Sequence, residues 1–438
     1  MKVQTSAGKS KTHARPAGSL SSMNTAQSTK LLLKRCALIM TIPRAGGRAR
    51  PSAFHPSVFP ACVAMCVLAA SAALAQTNSP TWDWTTASPE DQGMSSQKLK
   101  AMKDALAARS TSGLLVIRND QIVCEWYAPG AGATNPHGTA SMAKAIVGGV
   151  AMAIAITDGR AALDDQAAKF IPQWQGDPRK SRITFRQLGS HTSGLADAEA
   201  QNLPHEKLSG WQGEFWKRLS PPRDPFTIAR DLAPVLFEPG ERYEYSNPGI
   251  GMLVYALTAA LKDAPQKDIR TLLRERVMRP IGVPDAEWAI GYSQTFTVDG
   301  LPLVAAWGGA NYTARAVARI GRLMLRQGNW EGKPLLSPEA VRLVTSDAGT
   351  HSTCGIGWWS NNTGLCARLP KDAFWGSGAG HQVVLVVPSL KLIAVRNGQA
   401  LAEISSSAGF NRPIYQWLFE PLIEAVTDRN PPVGAAAR

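Results

Sequence analysis

No Cys/His pattern in this chain resembles a metal site: the seven histidines are scattered and the six cysteines do not stand at ligand spacing. The sequence therefore implies neither a metal nor an organic cofactor. Gly-x-Ser-x-Gly is also missing, which removes the strand–turn–helix nucleophile elbow of the α/β-hydrolases. Beyond residue 76 there is no internal repeat and no low-complexity segment, so repeat architectures are excluded. Acidic residues are absent from positions 1–75, which hold ten Lys/Arg; the rest of the chain carries 37 basic against 33 acidic residues. The formal charge of +14 thus belongs mainly to one end, and a nucleic-acid footprint is not expected.

That basic end reads as an export signal. Arg44, Arg48 and Arg50 precede the apolar stretch VFPACVAMCVLAASAALA, which closes on the small-x-small pattern Ala73-Leu74-Ala75. The stretch is short and rich in small residues, unlike a membrane span. Neither a twin arginine nor a lipoprotein-type cysteine accompanies it. The expectation is a periplasmic or secreted protein that starts near Gln76, with no membrane span once the signal is removed. Met40 is a candidate start.

Cys36, Cys62 and Cys66 fall within this leader, leaving Cys124, Cys354 and Cys366. Cys124 alternates with Val123 and Trp126 as in a strand, which suits a small buried apolar residue. Cys354 and Cys366 flank the turn-rich GIGWWSNNTGL, and in an oxidising compartment they are expected to pair.

A helix begins at Ser95, with Leu99, Met102 and Leu106 on one face. GLLVIRNDQIVCEWYAPG reads as two strands about an Asn119-Asp120 turn. From Asp158 to Pro338 helical patterns and long loops predominate. Strands return in HQVVLVVP and LKLIAVRNG, a hairpin about Pro388-Ser389, and a helix over about 413–426 closes the chain. Hairpins at both ends predict an α+β fold with one antiparallel sheet built from N- and C-terminal segments and flanked by helices. The expected divisions are a leader (1–75), a first part of the sheet region (76–157), a mainly helical insertion (158–338) and a second part of the sheet region (339–438).

Ser-x-x-Lys occurs three times, at Ser6/Lys9, Ser95/Lys98 and Ser141/Lys144. The first lies in the leader. In the second, Ser95 stands where a helix N-cap belongs and Lys98 falls on a polar face. The third, in HGTASMAKAIVGGVAMAIA, heads an apolar helical run. There the spacing puts both side chains on one face, beside free N–H groups able to receive an oxyanion. A lysine facing an apolar site can lose its proton near neutral pH and act as a base. The plainer alternative is a buried hydroxyl and a lysine whose amine reaches solvent.

Two further stretches carry polar groups at element boundaries. In PGERYEYSNPGIGMLVYAL, Tyr245 could hold a phenolate-like oxygen beside Lys144, and Asn247 could donate to a substrate carbonyl; capping and packing are the alternative. In WGSGAGHQVVLVV, small residues lead into a strand whose N–H groups a ligand could approach, or simply make a tight turn.

The order and spacing of these pieces resemble the serine β-lactamase and penicillin-recognising hydrolase family, whose signature is Ser-x-x-Lys, Ser-Asp-Asn and Lys-Thr-Gly. Tyr245-Ser246-Asn247 is similar to the Tyr-x-Asn of the class C branch and its esterase relatives, and ITFRQLGSHTSGL (183–195) to that branch's helix-and-loop segment. TSGLLVIRNDQIVCEWYAPG and FWGSGAGHQ look most like the 6-aminohexanoate-dimer hydrolase group. The resemblance covers most of the chain after Trp82 and implies a β-lactamase/transpeptidase-like fold. It also implies an acyl-serine mechanism on a small-molecule ester or linear amide. Ser141 would be the nucleophile, Lys144 and Tyr245 the proton-transfer pair, and Asn247 a substrate contact. The N–H groups of Ser141 and of Ala379 or Gly380 would receive the oxyanion. Where the family carries Lys-Thr-Gly or His-Thr-Gly, this chain aligns Ser377-Gly378-Ala379, without the cation, and His381 lies on the wrong side to replace it. Rival readings are a β-lactamase or D-Ala-D-Ala carboxypeptidase on the same fold, and a non-catalytic receptor that is acylated without turnover.

Overall fold

The computed structural model describes residues 82–200, 203–349, 353–402 and 409–428; the leader and its cleavage pattern lie outside the described residues. In chain order the elements that matter here are β1 (Thr85–Thr86), α1 (Ser96–Ala107), β2 (Thr111–Arg118) and β3 (Gln121–Tyr127). They are followed by α2 (Val150–Thr157), α3 (Asn247–Ala260), α4 (Ala314–Leu325), β4 (Trp359–Ser360), β5 (Phe374–Gly378), β6 (Gln382–Val387) and β7 (Leu392–Gly398). Ser95 caps α1 by accepting from the Lys98 N–H, which accounts for that Ser-x-x-Lys pair.

Asn119 and Asp120, between β2 and β3, both have left-handed backbones (φ 49° and 66°), the mirror-image turn whose twist suits a tight hairpin. Between β6 and β7 the chain turns through Pro388–Leu390 and a left-handed Lys391. β7 then pairs antiparallel with β2, from Leu392↔Arg118 to Arg396↔Leu114, and this joins the two ends of the chain. The resulting seven-stranded sheet runs β1-β3-β2-β7-β6-β5-β4, antiparallel except for the β1–β3 pair.

Both faces of the sheet are covered, which is why its strands read as nearly continuous apolar runs. Leu114, Val116, Val383, Leu385, Leu392 and Ala394 face α1 and the helical segment 412–424. Their alternates Leu115, Ile117, Val384, Val386, Ile393 and Val395 join a second core containing α2, α3 and α4. The helical region 158–338 shares this core with the sheet, and Ser79–Arg438 forms one compact unit. The run Ala140–Thr157 is long and apolar enough to cross a membrane by composition alone, but it is mostly enclosed in that core.

The expected Cys354–Cys366 disulfide does not form, and both residues are thiols. Cys366 packs with Leu369, Ala373 and Trp375 in the core beneath α1. Cys354 is buried and bridged to Trp359 by backbone pairing. Flanking a turn in sequence did not bring the two sulfurs together.

Candidate active site

The approach to Ser141 is constrained from both sides. His137–Gly138 pairs with Asn311–Tyr312, and the Thr139 N–H donates to the Ala310 carbonyl at 2.9 Å. Ala140 then takes a left-handed conformation (φ 45°), which costs a non-glycine residue about 1–2 kcal/mol. Such strain clusters at functional sites. Ser141 sits in the short 3₁₀ turn Ala140–Met142, and Lys144 opens a wide π turn, Lys144–Gly149, before α2.

Tyr245-Ser246-Asn247 enters from the start of α3, where Ser246 caps the helix by accepting from the Gly249 N–H at 2.9 Å. The Tyr245 hydroxyl donates to Ser141 Oγ at 2.8 Å. Lys144 Nζ lies 3.0 Å from Ser141 Oγ, 2.8 Å from Asn247 Oδ1 and 2.7 Å from the Trp307 carbonyl oxygen. The structure therefore brings Ser141, Lys144, Tyr245 and Asn247 into one hydrogen-bonded cluster.

Burial sets the charges here. It pulls the Lys144 amine down to about 8, against the opposing fields of Asp197 and Glu199. Burial also holds the Tyr245 phenol well above its ordinary range, and Lys144 lies 4.8 Å from the centre of its ring. A phenolate at Tyr245, one of the readings the sequence left open, is thus disfavoured, and the lysine is the group that deprotonates first. A neutral amine has two hydrogens and one lone pair. The Asn247 and Trp307 oxygens accept both hydrogens, so the lone pair is left facing the Ser141 hydroxyl. Asn247 correspondingly spends its oxygen on Lys144, and its Nδ2 donates to Asp197 (3.0 Å) and Glu199 (3.3 Å).

His191, Asp197, Glu199 and the Trp307 carbonyl were not anticipated. His191 Nδ1 accepts from the Ser246 N–H at 3.2 Å and its ring lies 4.5 Å from that of Tyr245. Burial, then the nearby Lys144, pulls it down to about 3, so it remains neutral. His191 and Asp197 lie in and just after the segment 183–195, whose resemblance to the family was the only pointer to them. A main-chain oxygen such as that of Trp307 has no sequence signal at all; the indole, packed on Phe215 and Phe226, holds it in place.

On the sheet side, a Cβ at Gly378 would meet the Ser141 and Met142 nitrogens at 2.7 Å and the Thr139 oxygen at 2.3 Å. A Cβ at Gly376 would lie 2.9 Å from that of Ala145. These two positions face the nucleophile turn, so Ser377 between them points to the opposite face, that of Trp375 and Val383. Ser377 is buried there with no hydrogen bond to Oγ. The alignment that set Ser377 in the cation's place is corrected accordingly: the positions facing Ser141 are glycines packed too closely to carry a side chain. Ala379 follows directly on the Gly378 approach. Gly380 (φ 75°) turns away, its carbonyl accepting from Arg396. His381 is a structural residue, accepting from the Leu401 N–H and lying 3.1 Å from the Phe410 carbonyl. Among the described residues no group of three His, Cys, Asp or Glu side chains gathers to hold a metal.

A family model for beta-lactamases matches residues 99–403. The chain belongs to the beta-lactamase family. It has that family's fold of a mostly antiparallel sheet flanked by helices. The 6-aminohexanoate-dimer hydrolase of Paenarthrobacter ureafaciens is 23% identical over 60% of this chain and 64% of its own length. As with other curated relatives of similar strength, that match spans less than two thirds of the relative. EstCE1, a hydrolase with promiscuous acyltransferase activity, shares the fold with a TM-score of 0.53 at 16% identity, over 74% of this chain and 98% of its own. A D-stereospecific amidohydrolase from Streptomyces gives 0.52 at 16% identity, over 69% and 93%.

Proposed function

We propose that the protein is an exported hydrolase of esters or linear amides that works through an acyl-serine intermediate. The observation that carries this reading is the Lys144 amine, whose two hydrogens are fixed on carbonyl oxygens and whose lone pair is left for Ser141. Lys144 takes the Ser141 proton as Oγ bonds to the substrate carbonyl carbon. The N–H groups of Ser141 and Ala379 receive the developing oxyanion. The bond to the leaving nitrogen or oxygen breaks as Tyr245 protonates it, and the proton held on Lys144 restores the phenol. Water, activated by the same Tyr245–Lys144 pair, then cleaves the acyl-serine and frees Ser141.

The retained Tyr245 supports turnover over mere acylation, since a receptor that is only acylated has no use for a group poised to activate water. No cation extends from β5 towards Ser141, which favours substrates without a carboxylate at that position over β-lactams and D-Ala-D-Ala peptides. Linear amides are named alongside esters because the relatives include an amidohydrolase and an amino-acid-dimer hydrolase. The purified protein, assayed against short acyl esters, linear amides and a chromogenic cephalosporin, should turn over the first two classes preferentially. Fluorophosphonate labelling without turnover of any of them would instead establish the acylated receptor. Fractionation of cells expressing the full chain should recover it outside the cytoplasm, and cytoplasmic retention would refute export.

A further inference from the structure

We propose that Asp197 is a positioning residue that dictates which way the Asn247 amide faces and thereby how readily Lys144 gives up its proton. The proposal rests on the reading of Lys144 as the base. One oxygen of Asp197, Oδ1, accepts from the main-chain N–H of Asn247 (2.8 Å), from Asn247 Nδ2 (3.0 Å) and from the Ala198 N–H (2.8 Å). That single atom clamps both the backbone and the side chain of Asn247.

The clamp decides a choice the amide could otherwise make either way. With Nδ2 on Asp197, Oδ1 must face Lys144, where it accepts one amine hydrogen. Reversed, the amide would set its NH₂ against the lysine and its oxygen against two carboxylates, so its side-chain bonds to Lys144, Asp197 and Glu199 would be lost as they stand. Glu199 holds the second Nδ2 hydrogen, but its side chain is 47% exposed and its field is screened by solvent.

The loop carrying Asp197 is itself fixed. Ala196 N–H donates to the Pro234 carbonyl, Leu236 N–H to that of Gly194, and Ser246 Oγ to that of Ala196. Gly194, with φ 79° and space for no Cβ against the Phe237 oxygen, makes the turn possible. The groups facing Lys144 from the surrounding elements are Asp197, Glu199, His191, Tyr245 and Cys354, with Tyr243 behind them against the His191 ring. Burial keeps His191 neutral, both phenols protonated and the Cys354 thiol pushed up to about 12. Asp197, itself pushed up to about 7 by burial, is then the enclosed anion that stabilises the lysine's charged form.

The test is the pH dependence of kcat/KM for a short acyl ester in wild type, Asp197→Asn and Ser141→Ala. Asparagine keeps an acceptor at Oδ1 and removes the charge. The acid limb should move to lower pH by on the order of one unit, with a reduced plateau. Asp197→Ser, which keeps a short neutral acceptor, should move the limb the same way and serves if the asparagine variant does not fold. A lower plateau with an unmoved limb is what a purely structural residue would give, and it would overturn the proposal. Turnover by Ser141→Ala would overturn the underlying mechanism instead, so the two failures are distinguishable.

Discussion

Gly378→Ala tests the site where the sheet meets the nucleophile. The added Cβ would stand 2.3 Å from the Thr139 oxygen and 2.7 Å from the nitrogens of Ser141 and Met142. All three are backbone atoms in a turn already strained at Ala140, so no side chain can rotate out of the way. Ordinary contact requires β5 and the 139–142 turn to separate by on the order of 1 Å, a displacement that can cost about 10²-fold in rate. This corresponds to about 2.7 kcal/mol of transition-state stabilisation, accompanied by about 1–3 kcal/mol of lost stability from overpacking. Gly376→Ala is the internal comparison: its Cβ would meet the fixed Cβ of Ala145 (2.9 Å) and the more yielding side chain of Met142 (3.2 Å), a milder overlap than at Gly378 and one that spares the backbone of the 139–142 turn. The alanine at 376 should therefore cost stability with a much smaller loss of rate. Both variants should be assayed for kcat/KM on a short acyl ester and for urea unfolding. If Gly378→Ala retains wild-type kcat/KM, or Gly376→Ala loses as much, β5 does not shape the site in this way.

In wild type kcat/KM should rise with pH through about 8, because the reaction needs the uncharged form of an amine that burial has lowered from its usual range; Lys144→Arg, which stays protonated, should lose about 10²–10⁴-fold, and a rate already flat at about pH 6 would refute the assignment. Ser141→Ala should abolish turnover and fluorophosphonate labelling, read by intact mass, whereas Ser95→Ala should keep both and lose about 1 kcal/mol of stability with its cap. Alkylation of unreduced protein followed by peptide mapping should find Cys354 and Cys366 both as thiols, and reductant should leave the unfolding midpoint unchanged; a crosslinked peptide would contradict the structure.

Much of the fold was legible because local rules and tertiary demands agreed. Asn119-Asp120 could adopt the mirror-image turn, Ser95 could cap α1, and the apolar runs at both ends marked strands covered on both faces. The cluster of Ser141, Lys144, Tyr245 and Asn247 followed from motif order once two other Ser-x-x-Lys pairs had been set aside. Beyond that the sequence lacked a signal. Asp197 and the Trp307 carbonyl act through a loop and a main-chain atom, and neither has a pattern of its own. WGSGAGHQ was misread in register because small residues do not announce which face they occupy; only the Gly376 and Gly378 contacts with the 139–145 segment settle it. The cysteine pairing failed for a similar reason, since chain proximity says nothing of which side of a sheet a sulfur occupies.

The facing of β5 also decides what a restored cation would do. Arg396, on β7 and separated from β5 by β6, is not available: Nε bonds Thr111 Oγ1, and its two terminal nitrogens bond the carbonyls of Gly380, His381 and Gln399. It fastens the 380–381 turn to the end of β7 and is fully buried. A charged hydrogen bond to a substrate carboxylate is worth about 1.5–3 kcal/mol, or about ten- to a hundredfold in binding. Ser377→Lys would not recover it, because strand alternation sends that side chain towards Trp375 and away from Ser141. The variant should therefore lose stability, through a buried and unpaired ammonium, with no gain in kcat/KM for a chromogenic cephalosporin relative to a short acyl ester. A gain on the cephalosporin of tenfold order would mean that position 377 does reach the substrate, and the facing inferred from Gly376 and Gly378 would be wrong.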